Sequence, residues 1–276
     1  MGSFRRALMV MAVLLLTLQV GESTPVTAAD DAVATADART WLGREAEFER
    51  LLTAAKVITL EPIGKGVTRP FRASVEPGGP IEAFAWKPIT PGYYSRFYES
   101  YKSEVAAYEL DKFLGLGMVP VKVRREVDGA LGAACMWVSP AQTFHELGGA
   151  PSPPAEESER WGIQLTRAKM FDNLINNLDP NLGNWMVDPA WNIILIDHSR
   201  AFTVGSRMVH DLKRVERGLW ERVLELDEDS LVDVLGDWVS KGQIKSILKR
   251  RDRMVGIVAD LVAEHGEAVA IVEAAD

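Results

Sequence analysis

Among 276 residues there is a single cysteine, Cys135, so no intrachain disulfide staples the chain and a hydrophobic core has to hold it together. With 47% hydrophobic residues the material for such a core is present, enough for one large domain or for two lobes sharing a cleft. Cys135 lies between Ala134 and Met136, the setting of a buried apolar side chain more than of a nucleophile. Histidine is also scarce: His145, His198, His210 and His265 are too scattered for a zinc site, and only His198, beside Asp197, is placed to support a functional residue. No apolar run reaches the roughly 20 residues that cross a bilayer as a helix, and no stable membrane insertion is expected. Residues 7–20 come closest, but they include Thr17 and Gln19, follow Arg5-Arg6 and precede small residues at 26–28. That is the pattern of a secretory signal peptide, so residues 1–28 are expected to be one and the protein to be secreted or periplasmic. A cysteine at the end of the run, as lipid attachment would need, is missing.

Excess positive charge is absent as well. The formal net charge is −8, and removing residues 1–28 takes away Arg5, Arg6 and Glu22, leaving 29 basic against 38 acidic residues. Such a surface repels nucleic acid, and none is expected as a partner. The basic cluster Lys249-Arg250-Arg251 with Arg253 alternates with apolar residues at helical spacing and reads as a solvated helix face.

The pattern along the chain changes once. After an Ala- and Asp-rich leader at 29–40, helical spacing runs from Thr40 to about Lys56. Strand-like runs follow at 57–60, 71–75 and 81–87, the last two joined by Glu76-Pro77-Gly78-Gly79-Pro80 as a hairpin. A helix is expected over 98–114, then strands over 119–127 and 133–138 around Asp128-Gly129. Beyond a Gly-, Pro- and Ser-rich linker at 148–155 the chain is mostly helical, apart from short strands at 186–187 and 193–196. The expected division is a signal peptide at 1–28, a strand-and-helix lobe with its leader helix at 29–139, and a helical lobe at 140–276.

The strongest chemical signal is Asp179, Asn184 and Asp197. Phosphoryl transfer from ATP needs a carboxylate to orient the acceptor hydroxyl and oxygen ligands to hold magnesium against the phosphates. Asp179 and Asn184 stand five residues apart in Asp-Pro-Asn-Leu-Gly-Asn, which Pro180 and Gly183 keep out of a helix, the separation found in protein-kinase catalytic loops. Turns of any kind use these residue types, so the spacing alone is weak. Asp197 strengthens it, because a carboxylate that ends the aliphatic run Ile193-Ile194-Leu195-Ile196 needs a partner or a metal. Lys87 ends a second apolar run, placed to reach phosphates, though a solvated strand-end lysine reads almost as well. Glu104 on the following helix is the expected ion-pair partner of Lys87, with Glu99 and Glu109 as alternatives in other helical phases. Gly64-Lys65-Gly66 could bring backbone amides to a phosphate or could be a plain turn. Met136, Trp137 and Val138, before the linker, are placed for adenine to bond to backbone groups and read equally as a core strand, two readings that are compatible.

These pieces, in this order, resemble the atypical kinases that include the phosphatidylinositol 3-/4-kinases, HipA-type kinases and secretory-pathway kinases. The match runs through Gly64-Lys65-Gly66, Ala85-Trp86-Lys87-Pro88, Ser103-Glu104-Val105-Ala106-Ala107-Tyr108, Val119-Pro120, Asp179 to Asn184-Trp185, and Leu195-Ile196-Asp197. The resemblance implies an α+β, bilobal, protein-kinase-like fold with a small strand-and-helix N-lobe and a mostly helical C-lobe. It further implies that Lys87 binds phosphates, Glu104 pairs with it, Asp179 is the catalytic carboxylate, and Asn184 with Asp197 holds the metal. The cofactors are then ATP and Mg²⁺ or Mn²⁺. Departures from protein kinases are Leu178 before Asp179 with no His-Arg, His198-Ser199 after Asp197 in place of Phe-Gly, and Asn181 where many carry a lysine. Lys65 or Arg200 is available to replace that charge.

The expected activity is ATP-dependent phosphorylation of a hydroxyl, with a protein favoured over a lipid or small molecule. An exported pseudokinase that binds nucleotide or a partner without catalysis is the competing expectation, and adenylyl transfer by the same residues is a third.

Overall fold

The computed structural model describes residues 37–64, 70–94 and 96–274. The expected signal peptide, most of the leader, and Lys65 and Gly66 lie outside the described residues.

The first helix among the described residues, α1 (Glu45–Ala54), buries Phe48 and Leu52. It begins five residues later than the periodicity suggests, because residues 40–43 form a turn closed by Gly43 in the left-handed region, at φ +72°. Trp41 still enters the core from that turn. Strands β1 (Val57–Pro62), β2 (Phe71–Val75) and β3 (Ala83–Lys87) form an antiparallel meander. Strands β6 (Lys122–Val127) and β7 (Ala130–Met136) complete a five-stranded sheet of order β1-β2-β3-β7-β6. The expected turn at Asp128-Gly129 joins β6 to β7, and both residues have positive φ, as a tight two-residue hairpin requires.

Between β3 and β6 the chain departs from expectation. Residues 98–100 are not helical: β4 (Gly92–Tyr94) and β5 (Phe97–Glu99) make a small hairpin, with Tyr93 paired to Tyr98. Helix α2 (Tyr101–Phe113) starts only after Ser100, whose hydroxyl accepts from the Lys102 amide at 3.0 Å. This helix lies against β6 and β7, with Glu104, Val105, Tyr108 and Leu110 buried. Gly132 in β7 lets the end of β3 lie close against it, since a Cβ there would stand 2.5 Å from the carbonyl oxygen of Lys87.

The C-terminal part is largely helical. A single 3-10 turn (Ala155–Glu157) leads into α3 (Ser158–Ile175), which ends at Asn176 in the left-handed region. Strands β8 (Gln142–Thr143), β9 (Trp185–Val187) and β10 (Ile193–Leu195) form a three-stranded sheet at the start of this lobe. Helices α4 (Arg217–Leu224), α5 (Glu228–Leu235), α6 (Lys241–His265) and α7 (Glu267–Ala270) follow. The two-residue strands β11 (Val215–Glu216) and β12 (Ile271–Val272), too short to leave a periodic signal, pair in parallel and tie the C-terminal end back to the start of α4. The fold is therefore α+β and bilobal, with a strand-and-helix N-lobe on a helical C-lobe. Among the described residues no helix is long and apolar enough to cross a membrane.

One charge is not where the sequence places it. Arg250 is fully buried and donates to the carbonyls of Leu174, Thr203 and Gly205, so the cluster at 249–253 is not a uniformly solvated face. Lys249 alone keeps the expected exposed position in the Lys-Arg-Arg run, because Arg251 turns to Leu226 O and Asp252.

Candidate active site

Lys87 closes β3 with its side chain only 8% exposed, turned inward to the space between the lobes. Its Nζ is 2.7 Å from Glu104 Oε1 and 2.9 Å from Asp197 Oδ1. Of the three glutamates that the sequence offers, Glu104 is the one beside Lys87; Glu109 pairs with Lys112, and Glu99 serves Arg200. Burial alone would lower the Lys87 pKa, but the carboxylates of Asp197 and Glu104 outweigh it and hold the ammonium charged. Glu104 is itself buried, which would raise its pKa, yet Lys122 and Lys87 keep it well below the usual carboxylate range.

Lys122, at the start of β6, is a second buried ammonium on the same glutamate, with Nζ 2.6 Å from Glu104 Oε2. It also stands 3.0 Å from His198 Nδ1. An ammonium only donates, so Nδ1 is the acceptor and the ring proton sits on Nε2. Burial first, then the Lys122 charge, lowers the His198 pKa far below its ordinary value and keeps the ring neutral. His198 N donates to Glu104 Oε2 at 3.1 Å, fixing the backbone just after Asp197 to the N-lobe helix. Two cations, Lys87 and Lys122, thus face two carboxylates, Glu104 and Asp197.

The opposite wall is the loop after α3. Asn177 donates to Asp172 and accepts from the Asp179 amide, setting the entry into the loop. Asn181 caps the turn, donating to Asp179 Oδ1 at 2.8 Å and accepting from Gly183 N at 2.7 Å. Asn184 Nδ2 donates to the Asp179 carbonyl at 2.9 Å, so the oxygen of its amide is the atom left to offer a cation. The β9–β10 return brings Ile196 N to Asn184 O at 2.9 Å, which places Asp197 next to this loop as the sequence pattern suggests. Asp197 adopts φ +57°, a left-handed conformation uncommon outside glycine, at the point where its carboxylate meets Lys87.

Lys87, Asp179, Asn184 and Asp197 all line one cavity of about 860 Å³, and Met136 and Val138 line it as well. Ala85, Met186 and Ile196 give it apolar surface, the combination a nucleotide base and phosphates require together. Gly64 is at φ +71° and does not line the cavity, although its neighbour Ile63 does. Another cavity, of about 870 Å³, shares none of these residues; its Arg217 is already paired with Glu267 and Glu273. Cys135 borders the site from β7 with its thiol pKa pushed up to about 12 by burial, in keeping with an inert side chain. His145 also lines the cavity. Among the described residues no three His, Cys, Asp or Glu side chains converge as a metal cage.

The sequence does not point to Lys122, to the role Glu99 plays, or to the contact between Arg200 and Asp179. Lys122 opens the strand run Lys-Val-Arg-Arg, where an isolated lysine reads as solvated, and its partners are distant in the chain. Glu99 is read there only as an alternative partner for Lys87, whereas its buried carboxylate accepts from Arg200 Nε at 2.9 Å. Arg200 NH1 in turn donates to Asp179 Oδ2 at 3.0 Å.

No family model and no curated protein matches the sequence. Solved structures do match in three dimensions. Hydra Fam20, solved with sugar, superposes with a TM-score of 0.66 at 14% identity, covering 91% of this chain and 99% of that one. The Golgi casein kinase superposes with a TM-score of 0.61 at 12% identity, over 83% of this chain and 79% of that one. Its structure with Mn/ADP bound gives the same score and identity, over 83% and 78% of the two chains. At such identities the likeness speaks for the fold alone, a bilobal kinase-like fold.

Proposed function

We propose that the protein is an ATP-dependent phosphotransferase that phosphorylates a hydroxyl of a protein substrate. The observation that carries the reading is the buried Lys87, bonded to both Glu104 and Asp197, lining one cavity with Asp179 and Asn184. Support for the nucleotide and the divalent ion comes from the Golgi casein kinase, which shares the fold and was solved with Mn/ADP bound. The donors fit a Mg²⁺ or Mn²⁺ ion shared with phosphates more than one caged by protein: Asp197 and the amide oxygen of Asn184 are hard oxygen ligands and number only two. When bound, the ion neutralises phosphate charge and fixes the phosphates for in-line transfer.

Lys87 binds phosphate oxygens, steadied by Glu104. Val138 offers backbone groups to the adenine, and Met136, whose N–H is already given to Val121 O at 2.9 Å, lines the pocket beside it. Asp179 orients the acceptor hydroxyl and takes its proton as the oxygen bonds to the terminal phosphorus; the bond to the bridging oxygen breaks and ADP leaves. The nucleotide sits between an N-lobe at 29–139 and a C-lobe at 140–276, and export through residues 1–28 would place the enzyme outside the cytoplasm.

A second reading, a pseudokinase that binds nucleotide without transfer, is favoured by one feature: Asn181 stands where many protein kinases have a lysine. Incubation of the purified protein with labelled ATP and Mg²⁺ or Mn²⁺ separates the two. Label transfer to a protein substrate, lost in Asp179→Ala and Asp197→Ala, is the expected result. An Asp197→Ala variant that keeps its full rate overturns the kinase reading, and nucleotide binding with no transfer leaves the pseudokinase. Mass spectrometry of the product separates added phosphate from added adenylate.

A further inference from the structure

A kinase site needs positive charge on the terminal phosphoryl group as well as on the inner phosphates. Here the two buried lysines share one glutamate, and both come from strands of the N-lobe. On the C-lobe wall, Asn181 carries no charge and its amide is spent on Asp179 and Gly183. The cation on that side is Arg200, which lines the cavity and stands 3.0 Å from Asp179 Oδ2.

Arg200 is held as a functional group is held. Its Nε donates to Glu99 Oε1 at 2.9 Å, and NH2 faces the same oxygen. Glu99 is fully buried at the end of the β4–β5 hairpin. Ser199 Oγ, with one proton to give, lies 3.2 Å from Asp197 Oδ1 and 3.5 Å from Glu99 Oε2, and the Phe97 ring lies 4.4 Å from the guanidinium carbon. The guanidinium has five N–H groups, and these contacts leave some of them on the terminal nitrogens. They are therefore available to a phosphoryl oxygen next to the carboxylate that orients the acceptor.

We propose that Arg200 is a catalytic residue that binds the terminal phosphoryl group of ATP, supplying the charge that position 181 lacks. This rests on the kinase reading of the same cavity. It differs from a merely structural ion pair in one respect: a structural Arg200 changes stability but is blind to whether the nucleotide has two phosphates or three.

The test compares ADP with a non-hydrolysable ATP analogue, both with Mn²⁺, by isothermal titration calorimetry. Arg200→Ala alone strands the buried Glu99 carboxylate and endangers the fold. The informative variants are Arg200→Lys and the double variant Glu99→Gln/Arg200→Gln, in which two amides can bond to each other. The wild type is expected to favour the triphosphate by about 10-fold or more, the scale of one or two charge-assisted hydrogen bonds. The double variant should lose that preference while holding ADP within about 2-fold, and Arg200→Lys should keep part of it. An unchanged preference in the double variant, or none in the wild type, overturns the assignment and leaves the kinase reading standing. Failure of the wild type to bind either nucleotide overturns the kinase reading, and this assignment with it.

Discussion

Lys122 Nζ lies 2.6 Å from Glu104 Oε2, and the two side chains are 1% and 0% exposed, so the carboxylate that holds Lys87 also neutralises a second ammonium out of reach of water. Taking one charge from such a group strands its opposite in a poorly solvating interior. Lys122→Met leaves Glu104 and Asp197 to share Lys87 and deprives His198 Nδ1 of its donor. The expected loss is about 3–5 kcal/mol in urea unfolding. A loss under about 1 kcal/mol would show that the pair is worth no more than an exposed one.

Gly132 controls the backbone on which Lys87 rides. A Cβ added there meets the Lys87 carbonyl oxygen at 2.5 Å and the Pro88 Cα at 2.9 Å, both backbone atoms that cannot swing aside. Gly132→Ala should force β7 away from the end of β3, at a cost of about 1–3 kcal/mol. Because Lys87 moves with its backbone, nucleotide affinity should fall along with the melting temperature. Gly79→Ala, where an added Cβ meets nothing within 4 Å, is the control expected to leave both unchanged.

Which features the sequence discloses depends on how local their causes are. Lys87 at a strand end, Asp179 to Asn184 in a loop too rich in Pro and Gly for helix, and Asp197 after four aliphatic residues follow from short-range pattern. Their meeting in one cavity is a property of topology, legible only because pattern order limits the folds available. The β4–β5 hairpin was hidden because Tyr98, Tyr101 and Val105 keep three- and four-residue spacing, which imitates a helix that Ser100 in fact begins. Lys122 is buried against Glu104 and His198, 18 and 76 residues away, and no local signal encodes it.

Arg250 is another such case. Its Nε donates to Leu174 O at 2.8 Å, and NH1 donates to Thr203 O at 3.1 Å and Gly205 O at 2.8 Å, tying α6 to the end of α3 and to the segment after Phe202. Burial lowers its pKa to about 10, so the charge persists at neutral pH. A lysine keeps the charge but loses the fork that reaches three carbonyls. Arg250→Lys should cost about 2–4 kcal/mol in urea unfolding, whereas Lys249→Met on the exposed face should stay within about 0.5 kcal/mol. Equal costs at the two positions would refute the bracing role.

Glu216 carries a pH dependence of known sign. Its side chain, 1% exposed, accepts from Arg167 Nε at 3.1 Å and from the amides of Gly218 and Leu219 at 3.0 and 2.8 Å, capping α4. Burial would raise its pKa, but the Arg167 bond and the backbone amides prevail and hold it below the ordinary value of 4.5. The unfolded chain therefore takes up the proton first on acidification, and the carboxylate's contribution, complete above pH 4.5, is lost as pH falls through the lower folded value. Glu216→Gln should be destabilised by about 1.5–3 kcal/mol at pH 7, the range for hydrogen bonds to a charged group. The gap from wild type should then close as unfolding is measured at successively lower pH down to about 3. A gap that stays constant over that range would mean that the bonds, and not the charge, carry the cap.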